Sequence, residues 1–188
     1  MIKAIVFDFF DVLRTDPYKA WLNSLNLARE GAYSDASHDL DMGHITDDQF
    51  FERLSKLQGR LVTREDFEKY AELNHAVVKI ADQLHKRFKT ALLSNAPSSY
   101  LRGLLNDHDL EKHFDEIIIS SEVGMVKPNA DIFTLALRKL NVNADEAIFI
   151  DDNEHHTNGA ESLGIKSIQF TSADQLKQKL EELKILSH

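Results

Sequence analysis

The segment IVFDFFD, residues 5–11, joins an apolar run to an acid, two phenylalanines and a second acid. The run that it ends is short and mostly β-branched or aromatic, which is typical of a buried strand. Asp8 follows that strand directly. The segment therefore predicts a strand whose carboxyl end presents a carboxylate, and the rest of the chain indicates what surrounds it.

Further apolar runs predict a complete sheet. Five short runs have the pattern of buried strands, at residues 2–7, 90–93, 116–119, 147–150 and 166–170. Between the last four of these runs, apolar residues recur at helical spacing, at residues 98–106, 130–140 and 157–163. A capping pattern at Ser172 predicts the start of a further helix. Strands that alternate with helices of this length predict an α/β fold, a three-layer Rossmann-like core with a parallel sheet.

Residues 14–88 interrupt this alternation, because they contain no convincing strand. Two capping patterns, at residues 46–49 and 63–66, are each followed by apolar side chains at helical spacing, the second as far as Leu84. We expect residues 14–88 to form a helical cap inserted after the first strand, and residues 1–13 and 89–188 to form the core. A larger undivided α/β domain is the alternative.

Composition limits the possible classes of protein. The 188 residues suffice for a substantial apolar core. The sequence contains no cysteine, so it can form neither disulfides nor a thiolate metal site. No stretch approaches the roughly 20 apolar residues that span a bilayer, and charged residues interrupt the first apolar run, so we expect a cytoplasmic protein. The formal net charge of -9 argues against a nucleic-acid partner but is compatible with a small anionic substrate held by a metal ion or a lysine.

Polar residues end three of the apolar runs: Asp8 the first, Ser94 and Asn95 the second, Asp151 and Asp152 the fourth. Ligands of open parallel sheets bind at the carboxyl ends of the strands, so we expect these side chains to converge. Each acid alone is equally well a turn or helix-capping residue. One or more of three converging carboxyls would resist ionisation unless a cation neutralised them, and an all-oxygen site suits Mg²⁺.

Lys127 precedes Pro128, which favours an extended backbone and a loop at the same edge of the sheet. A single lysine is usually a solvated surface residue. Beside an acidic cluster it would instead pair with a carboxylate and with phosphoryl oxygens, where Ser94 and Asn95 would add uncharged donors.

With these residues, the chain resembles the haloacid dehalogenase-like hydrolase superfamily over nearly its whole length. Four stretches match the family's motifs in order: IVFDFFDVL, LLSNA, GMVKPNADIF and IFIDDNEHHTNGA. The helical insertion resembles that of the helical-cap branch. The motifs are most similar to those of the epoxide hydrolase N-terminal phosphatase-like and sugar-phosphate phosphatase-like members.

The resemblance implies a Mg²⁺-dependent phosphatase acting on a small phosphomonoester. Asp8 would be the nucleophile that forms an aspartyl-phosphate, and Ser94 and Lys127 would act on the phosphoryl group. Asp8, the carbonyl of Phe10 and Asp152 would hold the metal, with Asp151 in a supporting or water-mediated role.

Phe10 departs from the family phosphatases, which usually carry there an aspartate that protonates the leaving group. General acid–base catalysis is worth about 10² to 10⁴ in rate, so we expect a preference for good leaving groups. Asp11 would point to the opposite face of an extended segment. Two alternatives stay open: a weak or non-enzymatic member that keeps a metal or ligand site, and a metal-independent 2-haloacid dehalogenase, which the paired acids Asp151 and Asp152 disfavour.

Two other groups of residues have ordinary interpretations. His155 and His156 are adjacent and do not share a helix face, so they predict supporting or surface histidines rather than a paired zinc site. Tyr18 and Trp21 predict packing inside the cap. The sequence has no pattern that identifies the substrate or the oligomeric state.

Overall fold

The computed structural model describes residues 1–186 and contains a five-stranded parallel sheet. Its strands are β1 (Ala4–Phe7), β2 (Lys89–Ser94), β3 (Glu116–Ile119), β4 (Ala147–Asp151) and β5 (Lys166–Gln169). The order is β3-β2-β1-β4-β5, so β1 is the central strand. All five predicted strands are present with ends within two residues of the prediction, and the fold is of the predicted α/β class.

Ten α-helices lie in the described residues. They are α1 (Pro17–Ser24), α2 (Ala32–Asp41), α3 (Asp47–Gln58), α4 (Glu65–Glu68), α5 (His75–His85), α6 (Ser98–Asp107), α7 (Ser120–Val123), α8 (Ala130–Leu140), α9 (Glu154–Glu161) and α10 (Ala173–Glu182). Single 3₁₀ turns, Glu111–His113 and Ala144–Glu146, precede β3 and β4. Among these helices, none has the length and apolar content to cross a membrane.

The central strand divides its side chains between two cores. Ile5 and Phe7 belong to the cluster on one face of the sheet, where α5, α6 and α10 also contribute buried side chains. Ala4 and Val6 belong to the cluster on the other face, together with buried residues of α8. This alternation follows from the two-residue period of a strand, and both faces of the sheet are covered as a parallel sheet requires.

The helices differ from the prediction at two places. Helix α9 begins three residues before the predicted start at Thr157, because the side chain of Asn153 caps it by accepting a hydrogen bond from the His155 N–H at 2.9 Å. The helical spacing that extends from residue 63 to Leu84 does not form one continuous helix, since the chain forms α4, leaves the helical conformation and re-enters it at α5.

Tertiary pairing explains the break between α4 and α5. Leu73 lies opposite Arg14 in an antiparallel bridge, and the N–H of Asn74 donates to the carbonyl of Leu13 at 2.8 Å. The Asn74 side chain then accepts a hydrogen bond from the N–H of Val77 and so caps α5. Backbone groups near residues 72–74 therefore form hydrogen bonds with the segment after β1, whereas in a continuous helix they would bond to other residues of that helix.

The secondary-structure elements between β1 and β2 are all helices, α1 to α5. The first four enclose a core of their own. Tyr18, Trp21, Phe50, Leu54 and others are buried together there, as predicted for the two aromatic residues of α1. Helix α5 lies within the predicted cap range, yet its buried residues belong to the sheet cluster. We propose that α1 to α4 form the cap and that α5 is part of the core.

Candidate active site

The carboxyl ends of the three central strands meet at one edge of the sheet. Asp8 follows β1, and its N–H donates to the carbonyl of Ile150 in β4 at 2.9 Å. Asp151 is the last residue of β4, and Ser94 is the last residue of β2. Because β1 lies between these two strands, all three polar side chains are brought to the same end of the core.

Lys127 lies between two of these carboxylates. Its Nζ is 2.8 Å from Asp8 Oδ1 and 2.7 Å from Asp151 Oδ2. None of the three side chains is more than 8% exposed. Asp8 Oδ1 also accepts a hydrogen bond from the N–H of Phe9 at 2.7 Å. Within residues 1–186, the second oxygen of Asp8, Oδ2, accepts no hydrogen bond and is free to contact a ligand.

Burial and charge shift the pKa values of these three groups. Burial raises the pKa of Asp8 well above its ordinary value. The negative charge of Asp151 raises it further, whereas the positive charge of Lys127 lowers it. Burial acts in the same direction on Asp151, but Lys127 and His156 outweigh it and lower the pKa of that carboxyl. For Lys127, the two carboxylates outweigh burial and raise the pKa. One ammonium shared by two buried carboxylates thus leaves Asp8 short of positive charge.

The Asn95 side chain holds the Lys127 main chain in place, and the next residue, Pro128, packs closely against Gly159. The Asn95 amide donates to the carbonyl of Lys127 at 3.0 Å, and its oxygen accepts from the Lys127 N–H at 2.9 Å. A Cβ at Gly159 of α9 would lie 2.8 Å from the carbonyl oxygen of Pro128, so only glycine permits this approach without a shift. Asn95 therefore has a different partner from the phosphoryl oxygens expected from its sequence position.

Ser94 presents a buried hydroxyl without a partner. Its side chain is fully buried, and its Oγ makes no hydrogen bond with any of the described residues. Buried hydroxyl groups in folded proteins nearly always have a partner, and the exceptions occur often at sites that bind a ligand or water. The hydroxyl is thus available as an additional donor at the end of β2.

Asp152 belongs to a second cluster, which joins the core to the cap. Its Oδ2 is 3.1 Å from the Nζ of Lys19 in α1, and the same nitrogen is 2.6 Å from Asp11 Oδ2. Burial raises the pKa of Asp152, and Lys19 opposes this shift. The expectation that Asp11 faces away is wrong, because its φ of 58° removes it from an extended conformation and its side chain lines the same cavity as Asp8.

Phe10 has a free carbonyl and a packed ring. The ring lies parallel to that of Tyr100, with centroids 6.2 Å apart, and meets the ring of Phe9 edge-on at 5.1 Å. The backbone hydrogen bonds of this turn end on the carbonyls of Phe9 and Arg14, and none of the described donors contacts the carbonyl of Phe10. That oxygen is therefore available to a cation, whereas the ring offers no proton.

His156 contacts the carboxylate cluster through Asp151. Its Nδ1 is 3.1 Å from both oxygens of Asp151, and burial lowers the pKa of the ring, with Asp151 opposing. Potential ligand atoms of Asp8, Asp151 and His156 lie within 4.8 Å of one another. His155 is exposed on the first turn of α9, so the two histidines do not form a pair, as predicted.

A cavity of about 470 Å³ lies between the cap and the strand ends, and Asp8, Lys127 and Asp152 line it. Cap and core residues that no motif marks also line it, among them Lys19, Arg29, Arg64 and Tyr100. Their sequence spacing carries no signal, because Lys19, Arg29 and Arg64 reach the cavity through the packing of α1 to α4 on the core, and Tyr100 reaches it from the first turn of α6.

Comparison with known proteins agrees with the motifs. A family model described as haloacid dehalogenase-like hydrolase matches residues 5–170. The chain is 25% identical to a D-ribitol-5-phosphate phosphatase of Bacteroides thetaiotaomicron over 96% of its own length and 97% of that protein. It is also 24% identical, over 96% of its length, to the drimenol cyclase DrtB of Aspergillus calidoustus, but spans only 36% of that longer protein.

The fold matches solved structures as well. A haloacid dehalogenase family enzyme from Bacteroides thetaiotaomicron, in complex with magnesium and inorganic phosphate, superposes with a TM-score of 0.70 at 18% identity. The match covers 91% of this chain and 95% of that one. At this level of identity the likeness establishes the shared fold.

Proposed function

The chain belongs to the haloacid dehalogenase-like hydrolase family, and from that premise we propose that it is a Mg²⁺-dependent phosphatase for a small phosphomonoester. The observation that carries the proposal is the state of Asp8. One of its oxygens is held by Lys127 and by the N–H of Phe9, and the other is free at the edge of a cavity. This is the arrangement of a positioned carboxylate nucleophile.

The donors at the strand ends fit a magnesium ion. They are carboxylate and carbonyl oxygens, the ligands that Mg²⁺ prefers. The raised pKa of Asp8 indicates that Lys127 alone does not compensate the negative charge of its carboxylate. Asp8, the free carbonyl of Phe10 and Asp152 would hold the ion, and Asp151, already bound to Lys127, would support the site. A bound magnesium ion would neutralise charge on the phosphoryl oxygens. The magnesium and phosphate in the similar Bacteroides enzyme support this assignment.

The reaction proceeds in two steps at Asp8. Its free oxygen attacks phosphorus, the bond from phosphorus to the ester oxygen breaks, and the electron pair leaves with that oxygen. A water molecule then attacks the phosphorus of the aspartyl-phosphate, the bond to Asp8 breaks, and inorganic phosphate is released. Lys127 and the unpartnered hydroxyl of Ser94 would donate to the phosphoryl oxygens, and Asn95 would position Lys127.

The leaving oxygen receives no proton from position 10. The Phe10 ring is packed between Phe9 and Tyr100 and carries no acid. An ester whose leaving group is stable as an anion needs this proton least, so the proposed enzyme favours good leaving groups.

Hydrolysis of p-nitrophenyl phosphate, with and without Mg²⁺, tests the proposal. We expect activity that requires Mg²⁺ and is lost on addition of EDTA. Asp8→Asn keeps the size of the side chain but removes the nucleophile, so turnover should fall below detection while the fold is retained. Substantial activity of Asp8→Asn, or wild-type activity that survives EDTA unchanged, would refute the mechanism.

Phe10→Asp tests the role of the missing acid. The new carboxyl should raise kcat for alkyl phosphates by up to about 10²-fold, because poor leaving groups need the proton. The kcat for p-nitrophenyl phosphate should change little, because its leaving group is stable as an anion. The measurement is the ratio of the two rates in the variant and in the wild type. An equal loss on both substrates would mean that Phe10 serves packing instead.

A further inference from the structure

Six aromatic rings line the cavity above Asp8, among a larger number of polar and charged residues. The rings that line it come from both the core and the cap, and they are Phe10, Tyr18, Phe50, Phe51, Phe67 and Tyr100. Leu22 and Leu40 add aliphatic surface. Apolar and aromatic side chains of this kind bind the body of a ligand in small-molecule sites, and polar groups orient it. A leaving group bound here would thus meet apolar side chains over much of its surface.

Every cationic side chain that lines the cavity already has a carboxylate partner at 3.0 Å or less. The pairs are Lys127 with Asp8 at 2.8 Å, Lys19 with Asp11 at 2.6 Å, Arg29 with Asp16 at 3.0 Å, and Arg64 with Asp47 at 2.9 Å. Six carboxyl groups line the cavity against these four cations. A second anionic group on a substrate would find no unpaired cation among these residues.

The two arginines are further occupied by other contacts. Arg29 donates from Nε to Ser37 at 3.1 Å and lies over the ring of Tyr18. The guanidinium of Arg64 lies 4.3 Å from the ring centroid of Tyr100 and also faces Phe51. Releasing either arginine for a substrate carboxylate would leave an acidic residue uncompensated beside the incoming charge, which is costly at a partly buried site.

We propose, on the basis of the proposed phosphatase function, that the substrate is a phosphomonoester whose leaving group is uncharged and largely apolar. The metal and Lys127 serve the single phosphoryl group, and the six aromatic rings contact the remainder of the molecule. Esters with a second phosphate or a carboxylate on the leaving group are selected against, because the other cations belong to internal ion pairs.

Three phosphonates that differ in one substituent test this inference without requiring turnover. Methylphosphonate reports binding of the phosphoryl group alone, benzylphosphonate adds an apolar ring, and phosphonoacetate adds a carboxylate. Isothermal titration of the wild-type protein in Mg²⁺ should find benzylphosphonate at least about tenfold tighter than methylphosphonate, because the ring is buried. Phosphonoacetate should bind more weakly than methylphosphonate.

The outcomes separate this inference from the function on which it rests. Phosphonoacetate binding as tightly as benzylphosphonate would overturn the substrate class while leaving the phosphoryl site intact. Failure of all three to bind would overturn both the proposed function and the inference.

Asp47→Asn provides an independent test, because it releases Arg64 from its carboxylate partner. The variant should bind phosphonoacetate about three- to tenfold more tightly than the wild type and benzylphosphonate equally well. Asp48→Asn is the matched control, since it removes the same charge from the same helix turn at an exposed position outside the cavity. An equal effect of the two variants on phosphonoacetate, or none, would contradict the role assigned to the ion pairs.

Discussion

Two clusters at the cavity share one composition, a lysine between two aspartates, but differ in burial. Lys127 contacts Asp8 and Asp151 at 2.8 and 2.7 Å, and its side chain is 1% exposed. Lys19 contacts Asp11 and Asp152 at 2.6 and 3.1 Å, and its side chain is 48% exposed. The first cluster lies within the core, whereas the second joins the core to the cap.

The same contacts therefore have different energies. In the buried cluster, removing one partner leaves charge without solvent, so the three residues stabilise one another strongly. In the exposed cluster, water and salt screen the interaction, and its members can separate at little cost. A rigid lysine suits a group that stabilises charge in a reaction. A lysine that separates easily suits a contact between the cap and the core.

The largest expected effect follows from Lys127→Met, which breaks the buried cluster. Asp8 and Asp151 would then face each other without a cation, so we expect a loss of about 3–5 kcal/mol in the free energy of unfolding near neutral pH. The kcat for p-nitrophenyl phosphate should fall by about 10²- to 10³-fold, because a donor to the phosphoryl oxygens is lost. Urea unfolding and initial rates measure the two quantities.

Lys19→Met is the matched control for stability, because it removes the same charge from the exposed cluster. Equal destabilisation by the two substitutions would mean that burial does not distinguish the clusters.

An intermediate effect is expected from a third cluster of this kind, in which Arg29 lies between Asp16 and Asp41. Burial raises the pKa of Asp41 to about 7, against the effect of Arg29. The unfolded chain therefore loses this proton at lower pH than the folded protein does. Asp41 thus lowers stability as the pH rises from the ordinary carboxyl range towards 7.

Asp41→Asn should remove this pH dependence. The free energy of unfolding of the variant, relative to the wild type, should rise by up to about 4 kcal/mol between about pH 4 and pH 8. Urea unfolding at several pH values, followed by the fluorescence of Trp21, measures the difference. A constant difference across that range would show that Asp41 ionises in the folded protein as it does in the unfolded chain.

The smallest effect on stability is expected from Lys19→Met, at most about 1 kcal/mol. The substitution should have a larger effect on the proposed metal site, because it removes the ammonium group that contacts Asp152. Mg²⁺ should bind about tenfold more tightly, as measured by isothermal titration. Lys19→Arg retains the charge and should bind Mg²⁺ like the wild type. Unchanged affinity in Lys19→Met would exclude competition between Lys19 and the metal.

The strands and the residues at their ends could be predicted because their signals are local. Asp8, Ser94 and Asp151 each follow an apolar run, and a parallel sheet necessarily collects such positions at one edge. Other predictions rested on assumptions about backbone conformation that tertiary contacts changed. The positive φ of Asp11 brings its carboxylate to the cavity. Pairing with the segment after β1 interrupts the helical spacing that extends to Leu84.

The α/β class, the helical insertion and the polar residues at the strand ends could be read from the sequence alone, because periodicity and the residues that follow a strand are local features of the chain. Which charges become partners depends instead on tertiary packing. Lys19, Arg29 and Arg64 reach the cavity through the packing of cap helices, and Asn95 turns to the main chain of Lys127. The energy of an ion pair depends on distance and burial, and neither is encoded in spacing along the chain.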